Sequence, residues 1–224
     1  MNTTRHSTTE TRISAALAHS QPSTRLQAAL AAGSNPEPEF VEQLVERCAI
    51  EPDFFVRDML TWALTRQPRE ITVPRLIAEL RSELAQARSQ ALHSLSKIGD
   101  QGSFAAISSD LMHDSDDEVA RSAWRAAVAL VPRGREAALA AELATELGRG
   151  DRDTQLSLSR ALIALGETVP SILNAAAAHH NPRVRAHAIA TERLLRDPDG
   201  EFAVAIKHAT RIAIGPPPVG DAGC

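Results

Sequence analysis

The feature that most restricts the fold of this sequence is a repeat with a period of about 30 residues. One short template starts at residues 24, 56, 87, 119, 154 and 184, so successive copies are 32, 31, 32, 35 and 30 residues apart. In the clearest copy, Val56 is followed four, seven and eight residues later by Leu60, Ala63 and Leu64. These offsets fall on one side of a helix that turns by about 100° per residue, so each copy presents one apolar face for burial. The sequence therefore predicts stacked helical units.

Capping residues and a second set of apolar stretches complete each unit. Three residues before four of the template starts lies a side chain that can cap a helix N-terminus: Asp53, Asp116, Asp151 and Asn181. The apolar stretches between the templates predict partner helices at 11–20, 37–48, 72–81, 103–113, 135–148 and 168–179. We expect an all-α fold, a right-handed α-α superhelix of about six helical pairs closed by a C-terminal capping helix at 199–214. The repeat domain would span residues 11–214, between a disordered tail at 1–10 and a flexible tail at 215–224.

Composition narrows the chemistry. The two cysteines, Cys48 and Cys224, are too few for a disulfide framework and lack neighbouring ligands, so we expect neither a metal nor a cofactor. Residues 1–10 have no apolar core of a signal peptide, and no run reaches the ~20 apolar residues of a membrane span, which predicts a cytoplasmic protein without a membrane partner. The net charge of −4 gives no overall attraction to nucleic acid, which is therefore not favoured as a partner.

The pattern Asp-x-x-Val-Arg, with Leu-Gly near the end of the helix, resembles the HEAT repeat, including the bacterial variety first described in phycobilin lyases. Asp53 to Arg57 and Leu165-Gly166 carry this resemblance, which covers residues 11–196. Residues 48–99 are also similar to helical-repeat modules found in bacteria beside, or fused to, regulators of the MerR type. That second resemblance implies ligand sensing or protein docking.

The HEAT resemblance also implies roles for single residues. In that family the helix with the Val-Arg pair lines the concave face, and the arginine tends to join neighbouring repeats in a ladder. The matching arginines are Arg25, Arg57, Arg88 and Arg185, whereas Ala120 and Gln155 depart from the pattern. We expect these arginines to tie repeats together rather than to contact a ligand.

Residues two, six and nine positions after each template start face away from the buried stripe, toward the concave groove. The candidate partner-binding residues in or beside these rows are Asp58, Trp62, His93, Arg121, Trp124, Arg125 and Arg160. Four arginines face one aspartate in the three rows, which predicts a positive groove for an anionic ligand or an acidic peptide. Tryptophan with arginine is typical of binding hot spots, although the position of Trp124 borders the buried stripe and is equally compatible with the core.

These observations favour a non-catalytic binding module or scaffold, with a protein or small anionic ligand in the concave groove. Catalytic residues are not predicted, because the sequence has no Ser, His and Asp arrangement and no Gly-rich phosphate loop. The adjacent His179 and His180 diverge by about 100° on a helix and make a poor metal pair. Two alternatives stay open: a DNA-alkylation-repair glycosylase of the HEAT-like type, using Asp58, Trp62 and Trp124, and a phycobilin-lyase-like protein.

Overall fold

The computed structural model describes residues 11–198 and 202–214, apart from the side chains of residues 203 and 214. The predicted tails, and residues 199–201 of the predicted capping helix, lie outside the described residues. Contacts divide the chain into two compact units, Met1–Pro132 and Arg133–Cys224. The sequence, in contrast, predicts a single repeat domain at residues 11–214.

All regular structure in the described ranges is helical, which confirms the predicted all-α class of HEAT-like helical pairs. The helices of the first unit are α1 (11–17), α2 (Pro22–Ser34), α3 (Phe40–Ile50), α4 (Phe54–Arg66), α5 (Arg69–Glu79), α6 (Ala85–Ile98), a 3₁₀ helix (Gln101–Ala106), α7 (Ser109–Met112) and α8 (Asp117–Leu130). Those of the second unit are α9 (Glu136–Ala144), α10 (Arg152–Ile163), a 3₁₀ helix (Gly166–Thr168), α11 (Val169–Ala177), α12 (Pro182–Arg196) and α13 (Phe202–Ile214).

The repeated template forms the even-numbered helices, which we call the template helices. Within the first unit α2, α4, α6 and α8 pack in succession, and within the second unit α10 packs on α12. The residues that the period assigns to the buried stripe are buried, as Val56, Leu60 and Leu64 show on α4. Small side chains such as Ala63 complete the stripe and let neighbouring helices approach closely.

The four predicted caps are confirmed. The Asp53 carboxylate accepts hydrogen bonds from the backbone N–H groups of Phe55 and Val56 at 2.9 and 3.1 Å. Asp116, Asp151 and Asn181 cap α8, α10 and α12 in the same way. Each cap satisfies N–H groups that have no partner inside the helix, which fixes where the template helix begins.

One predicted partner helix takes a different form. Residues 103–113 form part of a 3₁₀ helix and the four-residue α7 instead of one continuous helix. The carboxylate of Asp100 accepts a hydrogen bond from the N–H of Gly102 at 3.2 Å, which favours a tight turn over an α-helix at this point. The other partner helices form within a few residues of their predicted bounds.

The predicted arginine ladder is present at the starts of α2, α6 and α12. Nη1 of Arg25, Arg88 and Arg185 donates to two carbonyl groups five and six residues earlier, in the turn before each helix. The other side of each guanidinium reaches forward, Arg25 to Glu51, Arg88 to Asp114 and Arg185 to the carbonyl of Ala213. These arginines therefore join consecutive elements within each unit.

Glu51 is the most buried member of this network. Its fully buried carboxylate accepts hydrogen bonds from Arg25 at 2.7 Å, from Arg47 at 2.8 Å and from the N–H of Asp53 at 2.9 Å. Burial alone would raise the pKa of this carboxyl, but the donors, Arg25 first among them, outweigh burial and lower it to about 2. The carboxylate is therefore charged at neutral pH, and its charge is compensated by the two arginines.

The predicted capping helix forms at Phe202–Ile214 as α13 and packs along α12. Phe202, Ala209 and Ala213 of α13 form a buried cluster with Ala186 and Ala190 of α12. This cluster covers the apolar face that the last template helix would otherwise expose.

Among the described helices, none is by itself long and apolar enough to cross a membrane. The α10 segment and residues Gly166–Ala177 meet the length and composition criteria only when taken together, and they are bent by 113° with respect to each other.

Candidate functional site

A cleft of about 610 Å³ in the first unit is lined by three consecutive template helices, α4, α6 and α8, and by Asp116, the cap of α8. We call it the α4–α8 cleft. Its charged or titratable lining residues are Arg57, Asp58, His93, Asp116, Glu118 and Arg125, and the others are Phe54, Thr61, Ala85, Gln86, Ser89, Gln90 and Ser122. Its volume lies in the range of small-ligand pockets, about 300–1,000 Å³.

The structure brings three of the seven predicted site residues together, since Asp58, His93 and Arg125 all line the α4–α8 cleft. Arg121 is partly buried beside the cleft and pairs with Glu118 at 3.4 Å. Arg160 is exposed on α10 in the second unit, whereas the cleft is lined by the first unit alone.

Trp62 does not line the cleft either. Its side chain is 39% exposed, and its ring lies against Gly33 of α2 so closely that a Cβ atom on Gly33 would clash with the ring. Trp62 therefore packs α4 against α2 with one side of the ring and meets solvent with the other.

Trp124, predicted beside the groove, lies in the core instead. It is 0% exposed, and its Nε1–H donates to the carbonyl of Met112 at 2.9 Å. Its offset of five residues from Val119 borders the buried stripe, and the short α7 leaves a carbonyl within reach of the indole. A buried indole N–H needs such a hydrogen-bond partner, so Trp124 stabilises the fold and is not placed to contact a ligand.

Most charges that line the cleft are already paired. Nη2 of Arg125 donates to Glu118 at 3.1 Å and to the hydroxyl of Ser122 at 3.1 Å. Asp116 accepts from the N–H groups of Glu118 and Val119 as the cap of α8. These groups shape the cleft, but their charges are largely compensated before any ligand arrives.

Asp58 is the exception among the carboxylates. It is exposed on α4, and it has no hydrogen bond or ion pair with any of the described residues. With Asp116 and Glu118 it brings the carboxylates in the cleft to three, against the guanidinium groups of Arg57 and Arg125. The positive groove predicted from the sequence rows is therefore not the character of this cleft.

Arg57 lines the cleft but is not among the candidate partner-binding residues of the sequence, because the HEAT resemblance assigns it to the arginine ladder. Its Nη1 donates to the carbonyls of Glu51 and Pro52 at 2.9 Å each, as the ladder requires. Its Nε and Nη2, the atoms with which Arg25 and Arg88 bind a carboxylate, have no partner in the described part of the chain. Glu83, which occupies the position 26 residues later that Glu51 occupies for Arg25, is exposed and makes no ion pair with Arg57.

His93 is partly buried in the wall of the cleft. Burial lowers the pKa of its imidazole, and the positive charges of Lys97 and Arg125 lower it further, against the opposing effect of Asp58 and Glu118. The imidazole is therefore mainly neutral at neutral pH, with one ring nitrogen able to accept a proton or a hydrogen bond.

No group of three or more His, Cys, Asp or Glu side chains arranged to hold a metal ion occurs among residues 11–198 and 202–214.

Comparisons with known proteins give a fold relationship only. No protein family model matches the chain, and no curated protein matches it. Among solved structures, the chain is similar to that of human deoxyhypusine hydroxylase in complex with glycerol, with 18% identity and a TM-score of 0.45 over 93% of this chain and 96% of that chain. At this distance the similarity assigns no residue role, substrate or activity.

The comparison nevertheless corrects one prediction. The similar structure is that of an enzyme, so the prediction of a non-catalytic module, and of a chain that is not an enzyme, is not upheld. The prediction of no activity rests on the absence of familiar catalytic motifs from the sequence. A helical repeat fold hosts several kinds of function, so such an inference does not hold.

Proposed function

We propose that the α4–α8 cleft binds a small organic ligand through an ammonium group placed at Asp58. The observation that carries this proposal is that Asp58 alone among the cleft carboxylates lacks a partner in the described residues. An exposed carboxylate is hydrated when the cleft is empty, and a ligand ammonium group provides the opposite charge with three N–H donors.

The surroundings of Asp58 suit a cation. Phe54, at the N-terminal end of α4, lines the cleft and is 65% exposed, so it offers apolar surface to the hydrocarbon part of a ligand. His93 is neutral for the reasons given above, so it does not repel a cation and can accept a hydrogen bond from it. The Asp58 carboxylate and the neutral His93 imidazole thus line the same cleft, and both can accept hydrogen bonds from an ammonium group.

The expected affinity is modest. Ion pairs at exposed positions contribute about 0–1 kcal/mol, so the loss of Asp58 should weaken binding by about fivefold rather than by orders of magnitude. Most of the remaining affinity would come from the burial of the ligand's apolar part in the cleft.

The test uses isothermal titration calorimetry of the full chain with three ligands of the same length, butylammonium, butyrate and butanol. We expect the ammonium ligand to bind best and Asp58→Asn to reduce its affinity by about fivefold. Asp110→Asn, an exposed aspartate of the same unit that does not line the cleft, should leave the affinity unchanged. Equal or tighter binding of butyrate by the wild-type chain contradicts the proposal.

Chemistry on the bound ligand is tested separately. The chain is incubated with the ammonium ligands that bind, and the ligands are then analysed by mass spectrometry. A new product that fails to form with His93→Gln, while binding persists, assigns a proton-accepting role to His93. An unaltered ligand means that the cleft binds these amines without transforming them.

The finer resemblance noted in the sequence supports the same location. Residues 48–99, which are similar to repeat modules associated with MerR-type regulators, include Phe54, Asp58 and His93 of the cleft. Operation in a reducing cytoplasm is also retained as part of the proposal. Burial raises the pKa of the Cys48 thiol to about 12, so this buried free cysteine stays a protonated thiol at neutral pH.

A further inference from the structure

Arg57 carries the feature that goes beyond ammonium binding. At the corresponding positions Arg25 and Arg88 use the whole guanidinium, with Nη1 on the preceding turn and Nε with Nη2 on a carboxylate 26 residues later. Arg57 keeps the first half of this arrangement only. Within the described residues, Nε and Nη2 of Arg57 have no acceptor.

The free half of Arg57 is held in place for a ligand. Two hydrogen bonds of 2.9 Å fix Nη1 to the turn before α4, and the ring of Phe54 lies 6.0 Å from Cζ. Because the guanidinium is planar and rigid, anchoring one nitrogen orients the other two. Nε and Nη2 form the edge that binds a carboxylate with two parallel hydrogen bonds, as Arg25 binds Glu51.

Arg57 and Asp58 are adjacent in the sequence and line the same cleft. The cleft thus contains one uncompensated half of a guanidinium and one unpaired carboxylate, while its other charged residues are paired or capping. A ligand with a single charge would satisfy only one of the two. A ligand that carries both an ammonium and a carboxylate group would satisfy both.

We infer that the ligand of the α4–α8 cleft is zwitterionic, an amino acid or a related compound whose carboxylate binds Nε and Nη2 of Arg57 while its ammonium group binds Asp58. This inference rests on the proposed function and adds the second charged group and the residue that recognises it. In the sequence, Arg57 has the same role as Arg25 and Arg88; in the structure, it is the ladder arginine whose carboxylate is supplied by the ligand.

The test compares a series of ω-amino acids of increasing chain length, each with its carboxamide analogue, by calorimetry of the full chain. The two members of each pair have the same length and the same ammonium group, so their affinity ratio reports on the carboxylate alone. We expect the best ω-amino acid to bind about fivefold more tightly than its amide, and Arg57→Gln to bring that ratio close to one while the amide still binds.

Two further variants control for the structural part of Arg57. Arg88→Gln removes the same pair of turn hydrogen bonds outside the cleft and should leave the ratio at its wild-type value. Arg57→Lys keeps the charge without the paired donors and should retain part of the preference.

The outcomes separate the two proposals. If the wild-type chain binds the amide and the ω-amino acid equally well, or if Arg57→Gln weakens both to the same extent, the zwitterion inference is wrong while ammonium binding stands. If no ammonium ligand binds, the proposed function fails first.

Discussion

His187, a buried residue of α12 in the second unit, should make the stability of the protein fall as the pH drops below neutrality. The imidazole is fully buried, and its Nδ1 accepts a hydrogen bond from the N–H of Gly148 at 2.9 Å. The proton must therefore be on Nε2, which lies 2.9 Å from the carbonyl of Gln155 and 3.0 Å from the hydroxyl of Ser159. A second proton on Nδ1 would point at the N–H of Gly148, donor against donor.

The magnitude follows from the pKa. Burial lowers the pKa of His187 to about 4, against the smaller raising effect of the Gln155 carbonyl, from an ordinary value of 6.5. The unfolded chain then binds a proton that the folded chain refuses, so stability is complete above pH 6.5 and is lost as the pH falls toward 4. The full effect is about 3 kcal/mol, of which about 2 kcal/mol is lost between about pH 7 and pH 5.

The assay is urea unfolding followed by far-ultraviolet circular dichroism at several pH values, for the wild-type chain and for His187→Gln. We expect the variant to be less stable at neutral pH, because the buried groups that bond to His187 lose well-aligned hydrogen bonds. On acidification, however, its free energy of unfolding should fall by about 2 kcal/mol less than that of the wild type. His19→Gln removes an exposed imidazole, keeps the buried one and should retain the wild-type slope. Equal losses in wild type and His187→Gln would refute the reasoning.

Three substitutions test the packing by urea unfolding. Glu51→Gln should lower the free energy of unfolding by about 3–5 kcal/mol, because Arg25 is left buried without its counter-charge, and a loss below about 1 kcal/mol would contradict this. Trp124→Ala should lower the free energy of unfolding by about 3–5 kcal/mol, because it truncates a core side chain. A near-neutral effect would mean that Trp124 is not a core residue. A glycine-to-alanine change usually stabilises a helix, but Gly33→Ala should lower the free energy of unfolding by about 1–3 kcal/mol, because the added methyl group meets the Trp62 ring. The Trp62 fluorescence should also shift to longer wavelength. A more stable variant with unchanged fluorescence would show that the ring is not held against α2.

The parts of the fold that the sequence predicts are those decided within a few residues. Asp53 caps α4 because a carboxylate three residues before Val56 reaches free N–H groups, whatever the rest of the chain does. The buried stripe follows from the helical period in the same local way, and the ladder role of Arg25 follows from its place in the template. Repetition adds to this, since the same local solution is found several times.

The parts that the sequence misses depend on what comes from elsewhere. The side of α8 on which Trp124 lies is decided by a carbonyl at Met112, which is available because a short helix replaces the predicted long one. Likewise, the Trp62 ring packs against α2 because Gly33, in a different repeat, has no side chain and leaves room for the ring. Helical offsets predict which face of a helix a side chain lies on. For a residue at the edge of the buried stripe, the neighbouring element decides whether the side chain is buried or exposed.

Arg57 shows why a site in a repeat protein is easiest to find where the repeat is incomplete. Each ladder arginine stabilises the array when its turn carbonyls and its forward acceptor are both present, and Arg25 and Arg88 have both. At Arg57 the backbone half is kept, which preserves the fold, while the forward half is left for another acceptor. Arg57 therefore keeps a donor edge that has no acceptor among the described residues, because Glu83, which is a glutamate like the Glu51 partner of Arg25, lies exposed and makes no ion pair with it. In such a protein the search for function should begin at the copy of the repeat where a residue keeps its structural role but lacks the partner that it has in the other copies.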